Sequence, residues 1–433
     1  MLCRRAGVWT LIAALVPWAA ADEDYVPAEA LREAGLTKAW QLRLPLERDQ
    51  RLANIYVVDD QWYATTDDGY VFAVHADTGA IRWLRQAVRR GYVIRRPCHA
   101  GSRAIFTAPA TVLQVDRLSG EGVARWDLTF PAGTAPVTDG TRLFLGGLDQ
   151  RLYAADLHDR LRGWKAMASG PITSTPVLHE GNLLAASADG TIYCCTAGSK
   201  AFRWQRGLGG SVTADLAANA HGLYVANGDQ SLYLLDFVSG QVAWQVRFSG
   251  PLSEAPVLTP DVAYQYCPDD GLVAVNCPIV GVEERIRWKL PRGRTLLTTD
   301  AKHAFVLARD ETILVVRVED GEVVQAMPAV GLTLTVPSPE RTAIYLASHD
   351  GRLFCARPRG TPLVTQEDIR KALATPETMP AESAEPGEKT VPGGAEPEPD
   401  RLGTSRSGLP LGGKSKVSKS FGKGGSPAAG PPP

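Results

Sequence analysis

Short apolar runs alternate with turn residues along most of this chain, and the same frame returns about every forty residues. One copy reads Leu223-Tyr224-Val225-Ala226-Asn227-Gly228-Asp229-Gln230-Ser231-Leu232-Tyr233-Leu234-Leu235-Asp236, then Ser239-Gly240-Gln241-Val242-Ala243-Trp244. Two apolar runs flank Asp229-Gln230, and a second turn at Ser239-Gly240 leads into a strand that carries Trp244. This predicts three consecutive antiparallel strands joined by tight turns. The frame recurs from Trp62 to Trp83 with turns Asp68-Gly69 and Thr78-Gly79, from Leu183 to Trp204 with Asp189-Gly190, and from Val262 to Trp288 with Asp270-Gly271. Asp-Gly suits such hairpins because glycine takes positive φ at no steric cost and Asp tolerates it.

The last strand of each copy is marked by tryptophan: Trp40, Trp83, Trp126, Trp164, Trp204, Trp244 and Trp288, with gaps of 43, 43, 38, 40, 40 and 44 residues. A period near forty built of strands predicts a β-propeller, in which each repeat is a four-stranded blade and the tryptophans wedge between blades. Weaker copies start near Ala104, Leu143, Ala304 and Thr342; the seventh has Val323-Val324 in place of its Trp. The eighth stops after Leu353-Phe354-Cys355-Ala356, while the chain opens with an orphan last strand, Ala39-Trp40-Gln41-Leu42. The numbers match only if that N-terminal strand completes the last blade, which leaves no free edge in the ring. The expected fold is all-β, an eight-bladed propeller of four-stranded antiparallel blades over residues 37–357. Innermost strands are expected at Arg95-Arg96-Pro97, Ala135-Pro136-Val137, Ser174-Thr175-Pro176-Val177, Glu254-Ala255-Pro256-Val257 and Val336-Pro337, where proline is tolerated because that strand is an edge facing the channel.

The flanks differ in character. Residues 1–21 combine Arg4-Arg5, an apolar stretch over 6–18 and Ala19-Ala20-Ala21, the layout of a secretory signal, followed by a lead-in over 22–36. The apolar stretch is shorter than the ~20 residues of a membrane span. Cys3 precedes it, so it is not the cysteine of a lipoprotein signal. The expectation is an exported protein, periplasmic or secreted, without a lipid anchor or transmembrane span. Residues 358–376 read as a linker with a short helix over 366–375. In the tail 377–433, seven acidic residues and Lys389 occupy 377–400, and six basic residues with no acid occupy 401–433. So few apolar residues predict a disordered acidic-then-basic extension.

Composition adds limits. Of 433 residues, 44% are hydrophobic and 21% charged, with net charge −1, which gives no global attraction to nucleic acid. The pattern Leu-Tyr-x-Ala-x-x-Asp-Gly-x-Leu-Tyr-x-x-Asp-x-x-Ser/Thr-Gly-x-x-x-Trp resembles the PQQ-like (quinoprotein-type) propeller repeat family over about 320 of the 433 residues. One branch of that class comprises quinoprotein alcohol and sugar dehydrogenases. Another includes the outer-membrane protein assembly factor B, a non-catalytic eight-bladed scaffold of the bacterial envelope, and in type this chain is similar to that branch.

The quinoprotein branch implies PQQ and Ca²⁺ in the channel, a tryptophan floor and a disulfide between adjacent cysteines. Cys194-Cys195 is the matching pair here. In the repeat frame, however, it fills the slot of Ala73-Val74, Ala154-Ala155, Leu234-Leu235 and Ala274-Val275, where side chains alternate faces, so it reads as two buried thiols. Cys267 and Cys277 fall at opposite ends of a hairpin, too far apart for a bond. All ten tryptophans already have places: Trp9 and Trp18 in the signal, Trp62 on a hairpin, seven on last strands. No cofactor, metal or catalytic residue is therefore assigned, and the seven histidines show no metal-ligand spacing. Arg95, Arg96, Asp215 and Glu254 are the channel-rim candidates, to be read either as a binding site or as solvated charges balancing one another. The function expected is a monomeric, protein-binding scaffold that meets envelope partners through its loops or channel face. The alternatives are a PQQ/Ca²⁺-dependent oxidoreductase and a propeller that senses a small ligand or glycan.

Overall fold

The computed structural model describes residues 24–159, 162–278, 280–281 and 284–374, so the signal segment and the acidic-then-basic tail lie outside the described residues. The alternating apolar runs form eight four-stranded antiparallel sheets, each a blade. The first seven blades are built from consecutive strands, with the innermost coming first. The eighth takes Leu334–Val336, Ile344–Ala347 and Arg352–Pro358 from its own repeat and Leu36–Arg43 from the N-terminus as its outermost strand. In that last pairing Leu36 lies opposite Pro358 and Arg43 opposite Arg352. The chain thus forms an eight-bladed ring closed by its N-terminal strand.

Each core cluster lies between two neighbouring blades. Cys194 packs with Val212 and Leu223 of the following blade, whereas Cys195 packs with Phe144 and Leu152 of the preceding one. The tryptophans lock the same seams. The indole N–H of Trp40 donates to Ala76 O (3.1 Å), Trp83 to Arg117 O (3.0 Å), Trp164 to Ala197 O (3.2 Å), Trp204 to Phe237 O (3.0 Å), Trp244 to Cys277 O (3.3 Å) and Trp288 to Val318 O (2.9 Å). Every acceptor lies near the start of the turn before the outermost strand of the next blade. Trp126 is displaced two residues along its strand and packs instead against the cluster of Ile105, Leu143 and Leu145.

Two details differ from the sequence expectation. Four of the expected inner strands begin after their prolines, at Cys98–Ala100, Val137–Thr138, Val177–His179 and Val257–Leu258, while the last of them, Leu334–Val336, ends before Pro337. Proline has no N–H to give the ladder, so pairing starts only beyond it or ends before it. In the first and seventh blades the inner strands Leu52–Val58 and Gly293–Thr299 run seven residues, whereas in the fifth blade, also without proline, pairing covers only Ala217–Asn219. The second difference is the seventh tryptophan slot, which belongs to Gln325 and not to Val323-Val324. Gln325 follows Gly321 by four residues, as Trp244 follows Gly240, while Val323 and Val324 face solvent, 40% and 48% exposed. The Gln325 amide donates to Ala30 O (3.0 Å) of an N-terminal helix, Ala28–Glu33. Val26 and Leu31, 0% and 1% exposed, fill this seam with Ile313, Val315 and Met327. A second helix, Gln366–Leu373, is capped by Thr365 and Asp368 and meets the first blade where Arg82 Nε donates to Ala372 O (3.0 Å). No helix among the described residues is long and apolar enough to cross a membrane.

Candidate functional site

Antiparallel order within each blade assigns the loops to two faces. Turns between the second and third strands share one face with the connections that lead from one blade to the next. The remaining turns occupy the other face. The sequence candidates Arg95, Arg96, Asp215 and Glu254 all lie in blade-to-blade connections, just before an inner strand and not on it. They therefore surround the mouth of the channel on the first face.

The structure divides them into two groups. Glu254 receives a two-pronged pair from Arg294 of the next inner strand, both bonds 2.7 Å. The Arg294 guanidinium also lies 4.0 Å from the ring centroid of Tyr266, with Arg309 at 5.5 Å from the same ring. Fork-on-carboxylate geometry and cation–π stacking together hold one orientation. Arg95, Arg96 and Asp215 instead share the electrostatic surroundings of Tyr56, whose hydroxyl donates to Ile94 O (3.0 Å). Burial pushes that phenol up to about 12, against the influence of Arg95. Asp215 is further fixed by accepting from the Thr175 N–H (2.7 Å), and Arg96 donates to Val57 O (3.4 Å). Arg294, Tyr266 and Tyr56 had no distinguishing sequence signal, since each belongs to a repeat position shared by eight blades.

The Asp-Gly turns on this face close on themselves. Thr66 donates to Asp68 (2.5 Å), and Ser187 and Ser348 do the same to Asp189 and Asp350. Asp270 accepts from Ser249 N–H and Oγ (both 2.8 Å) and from Lys289 Nζ (2.7 Å). Burial would raise its carboxyl, but these bonds outweigh it and hold it at about 2. These aspartates are spent on turn geometry.

One connection stands apart. Residues 87–97 join the first blade to the second and carry Arg89, Arg90, Tyr92, Arg95 and Arg96. Val88 and Ile94 anchor the loop, 6% and 2% exposed, while Tyr92 and Val93 project, 51% and 62% exposed. Gly91 supplies the left-handed turn (φ +90°) beside a Tyr92 N–H to Arg89 O bond of 3.3 Å. Arg89 and Arg125 line an open cavity of about 380 Å³ with Gln86, Ala87, Val88 and Asp127. A sequence signal did mark this region: between Asp77 and Asp116 there are seven arginines and no acidic residue.

The opposite face holds a second polar cluster. Asp59 accepts from His99 Nδ1 (2.7 Å), His99 Nε2 meets the buried Tyr63 hydroxyl (2.7 Å), and Arg117 and Arg82 bind Asp60 (3.0 and 2.9 Å). It ties the first blade to the second. Burial depresses His99 and His75, so both favour the neutral form.

The residues present do not fit a quinone site. Six of the seven repeat tryptophans spend their indole N–H on the neighbouring blade, Trp62 is buried between Trp40 and Tyr345, and Cys194 and Cys195 face opposite sides of their sheet. Among the described residues no group of three His, Cys, Asp or Glu side chains is placed to hold a metal ion.

Eight closed four-stranded blades with Asp-Gly hairpins and tryptophan-marked last strands define a PQQ-like repeat propeller. More specifically, the chain belongs to the family described as outer membrane protein assembly factor BamB, whose model matches residues 68–176, 108–201 and 188–372. Among solved structures it is similar to BamB from Moraxella catarrhalis, at 18% identity and TM-score 0.59, covering 74% of this chain and 99% of that one. It is matched to almost the same degree by the computationally designed Ika8 protein, at 14% identity and TM-score 0.58, covering 72% and 98%. At such identities the likeness shows the fold alone. No curated protein matches the chain.

Proposed function

We propose that this protein is a non-catalytic, exported propeller that binds other proteins in the bacterial cell envelope, in a role of the kind the family description names, outer-membrane protein assembly. The observation that carries the reading is the channel mouth. Its carboxylates Glu254 and Asp215 are held by Arg294 and by the Thr175 N–H, and no nucleophile sits beside a base there among the described residues. What this face offers is a broad, rigidly held array of loops, which suits recognition of a macromolecular surface. Family membership supports envelope partners, and the signal-like segment 1–21 supports export.

The test is site-specific photo-crosslinking in cells that make the protein, with p-benzoylphenylalanine at Leu148 on the channel-mouth face, 45% exposed, and at Val280 on the other face, 86% exposed. The reading expects discrete adducts with an envelope protein from Leu148. Absence of adducts from every position on the channel-mouth face removes the scaffold reading.

A further inference from the structure

We infer that the arginine-rich connection 87–97 is a docking surface for an acidic segment of a protein partner. This rests on the scaffold reading and adds a place and a chemistry to it. The connection is eleven residues long, where the four that follow it (128–136, 168–176, 208–216 and 248–256) are nine. The extra length projects at residues 89–93, all exposed, while Val88 and Ile94 pin both sides of the tip into the blade seam. A tip held this way is presented with little ordering left to do on binding, which favours affinity.

Charge points to the occupant. Arg89, Arg90 and Arg125 form no ion pair among the described residues, and Arg95 and Arg96 continue the same charge toward the channel. Several arginines elsewhere do have carboxylate partners: Arg82 and Arg117 with Asp60, Arg294 with Glu254, Arg357 with Asp77. Guanidinium forks bind carboxylates in two-pronged fashion, and a cluster left without them is complementary to a surface that brings its own. Tyr92 and Val93 at the tip supply the aromatic and apolar contact that, beside arginine, carries much of the binding energy in protein interfaces.

The charge is also mixed in detail. Asp127 lines the cavity with Arg89 and Arg125, and Arg90 lies within electrostatic reach of Asp68. A uniformly anionic bilayer or polyphosphate would press negative charge against both aspartates. A peptide segment can set carboxylates on Arg89, Arg90 and Arg125 and a backbone N–H or hydroxyl on Asp127. A protein partner is therefore the better fit.

The experiment places p-benzoylphenylalanine at Tyr92 in the full chain, alone and with R89E/R90E, beside the Leu148 probe. Expected are adducts from Tyr92 with one envelope protein, mapped by mass spectrometry to a peptide rich in Asp and Glu. R89E/R90E should lower their yield at least about tenfold with an unchanged thermal midpoint. Lysines in place of the partner's carboxylates should restore it. Adducts from Leu148 but none from Tyr92 would overturn the docking site and leave the scaffold standing; silence at both positions would remove both. Adducts with lipid, with a peptide lacking carboxylates, or with a yield indifferent to R89E/R90E would also overturn it.

Discussion

At the scale of single residues, a positive-φ glycine in the turn before an outermost strand has two duties. Gly79, Gly240 and Gly321 all sit in the left-handed region, at φ +73°, +65° and +78°. Each also lies against the indole of the preceding blade: a Cβ on Gly240 would stand 2.5 Å from Trp204 Cε3, and one on Gly79 2.7 Å from Trp40 Cδ2. Gly181 shares the backbone conformation (φ +75°) but has nothing within 4 Å. Gly181→Ala should therefore cost the left-handed penalty alone, about 1–2 kcal/mol. Gly240→Ala should add roughly 1–3 kcal/mol of overpacking. Urea unfolding of the two variants measures the difference, and equal costs would show that the indole contact does not constrain the glycine. The turn role was legible because it is local. The docking was not, because the partner indole is a whole blade away in sequence. Burial governs the histidines too. Desolvation lowers His99 and His75 below their usual 6.5 despite Asp59 and Asp60, so the unfolded chain takes up protons first as pH falls. Stability should be fully present above about pH 6.5 and decline below it. His99→Gln should flatten that decline in thermal midpoints recorded from pH 7.5 to 5, well above the range where the lowered carboxyls titrate.

Elements show a different balance between local and distant information. Hairpins were readable because their apolar runs and turn residues are contiguous. Four inner strands were placed too early, at prolines that have no N–H to give the ladder, whereas Leu334–Val336 ends before its proline. The channel-rim residues Arg95, Arg96, Asp215 and Glu254 were visible as charges in an apolar frame, but Arg294 and Tyr266, which hold Glu254, come from other strands. The N-terminal helix was not anticipated at all. It occupies the one seam where Gln325 replaces tryptophan, and Leu31, 1% exposed, supplies the apolar bulk that the missing indole would have given. Leu31→Ala removes a buried side chain from a seam that lacks its tryptophan and should cost about 2–4 kcal/mol. The loss should be regional: amide exchange should quicken in His303–Ala308 and Ile344–Ala347 while Asn182–Ala186, in a blade sealed by its own tryptophan, keeps its protection. Uniform acceleration across all blades would mean that the helix does not act on its seam.

The whole ring depends on a pairing between residues some three hundred positions apart, such as Gln41 with Phe354. Closing so long a loop is entropically slow, and until it closes the strand Arg352–Pro358 presents an unpaired edge. The geometry offers a way to separate the strand from its position in the sequence. Arg359 N–H already donates to Gly35 O at 2.7 Å, so the end of the last repeat lies beside the start of the N-terminal strand. A chain beginning at Leu44 and carrying residues 36–43 after a short turn at Pro358 should close the eighth blade as an ordinary hairpin. A chain that simply lacks residues up to 43 should leave the edge open. Both variants lose the N-terminal helix, so the strand alone distinguishes them. The permuted chain should elute as a monomer. The truncated chain should form oligomers through the open edge and melt at least about 10 °C below it, since each kcal/mol shifts a protein of this size by ~2–4 °C or less. Equal midpoints and equal elution would mean that the ring holds without its closure, and that the blade seams alone carry the fold.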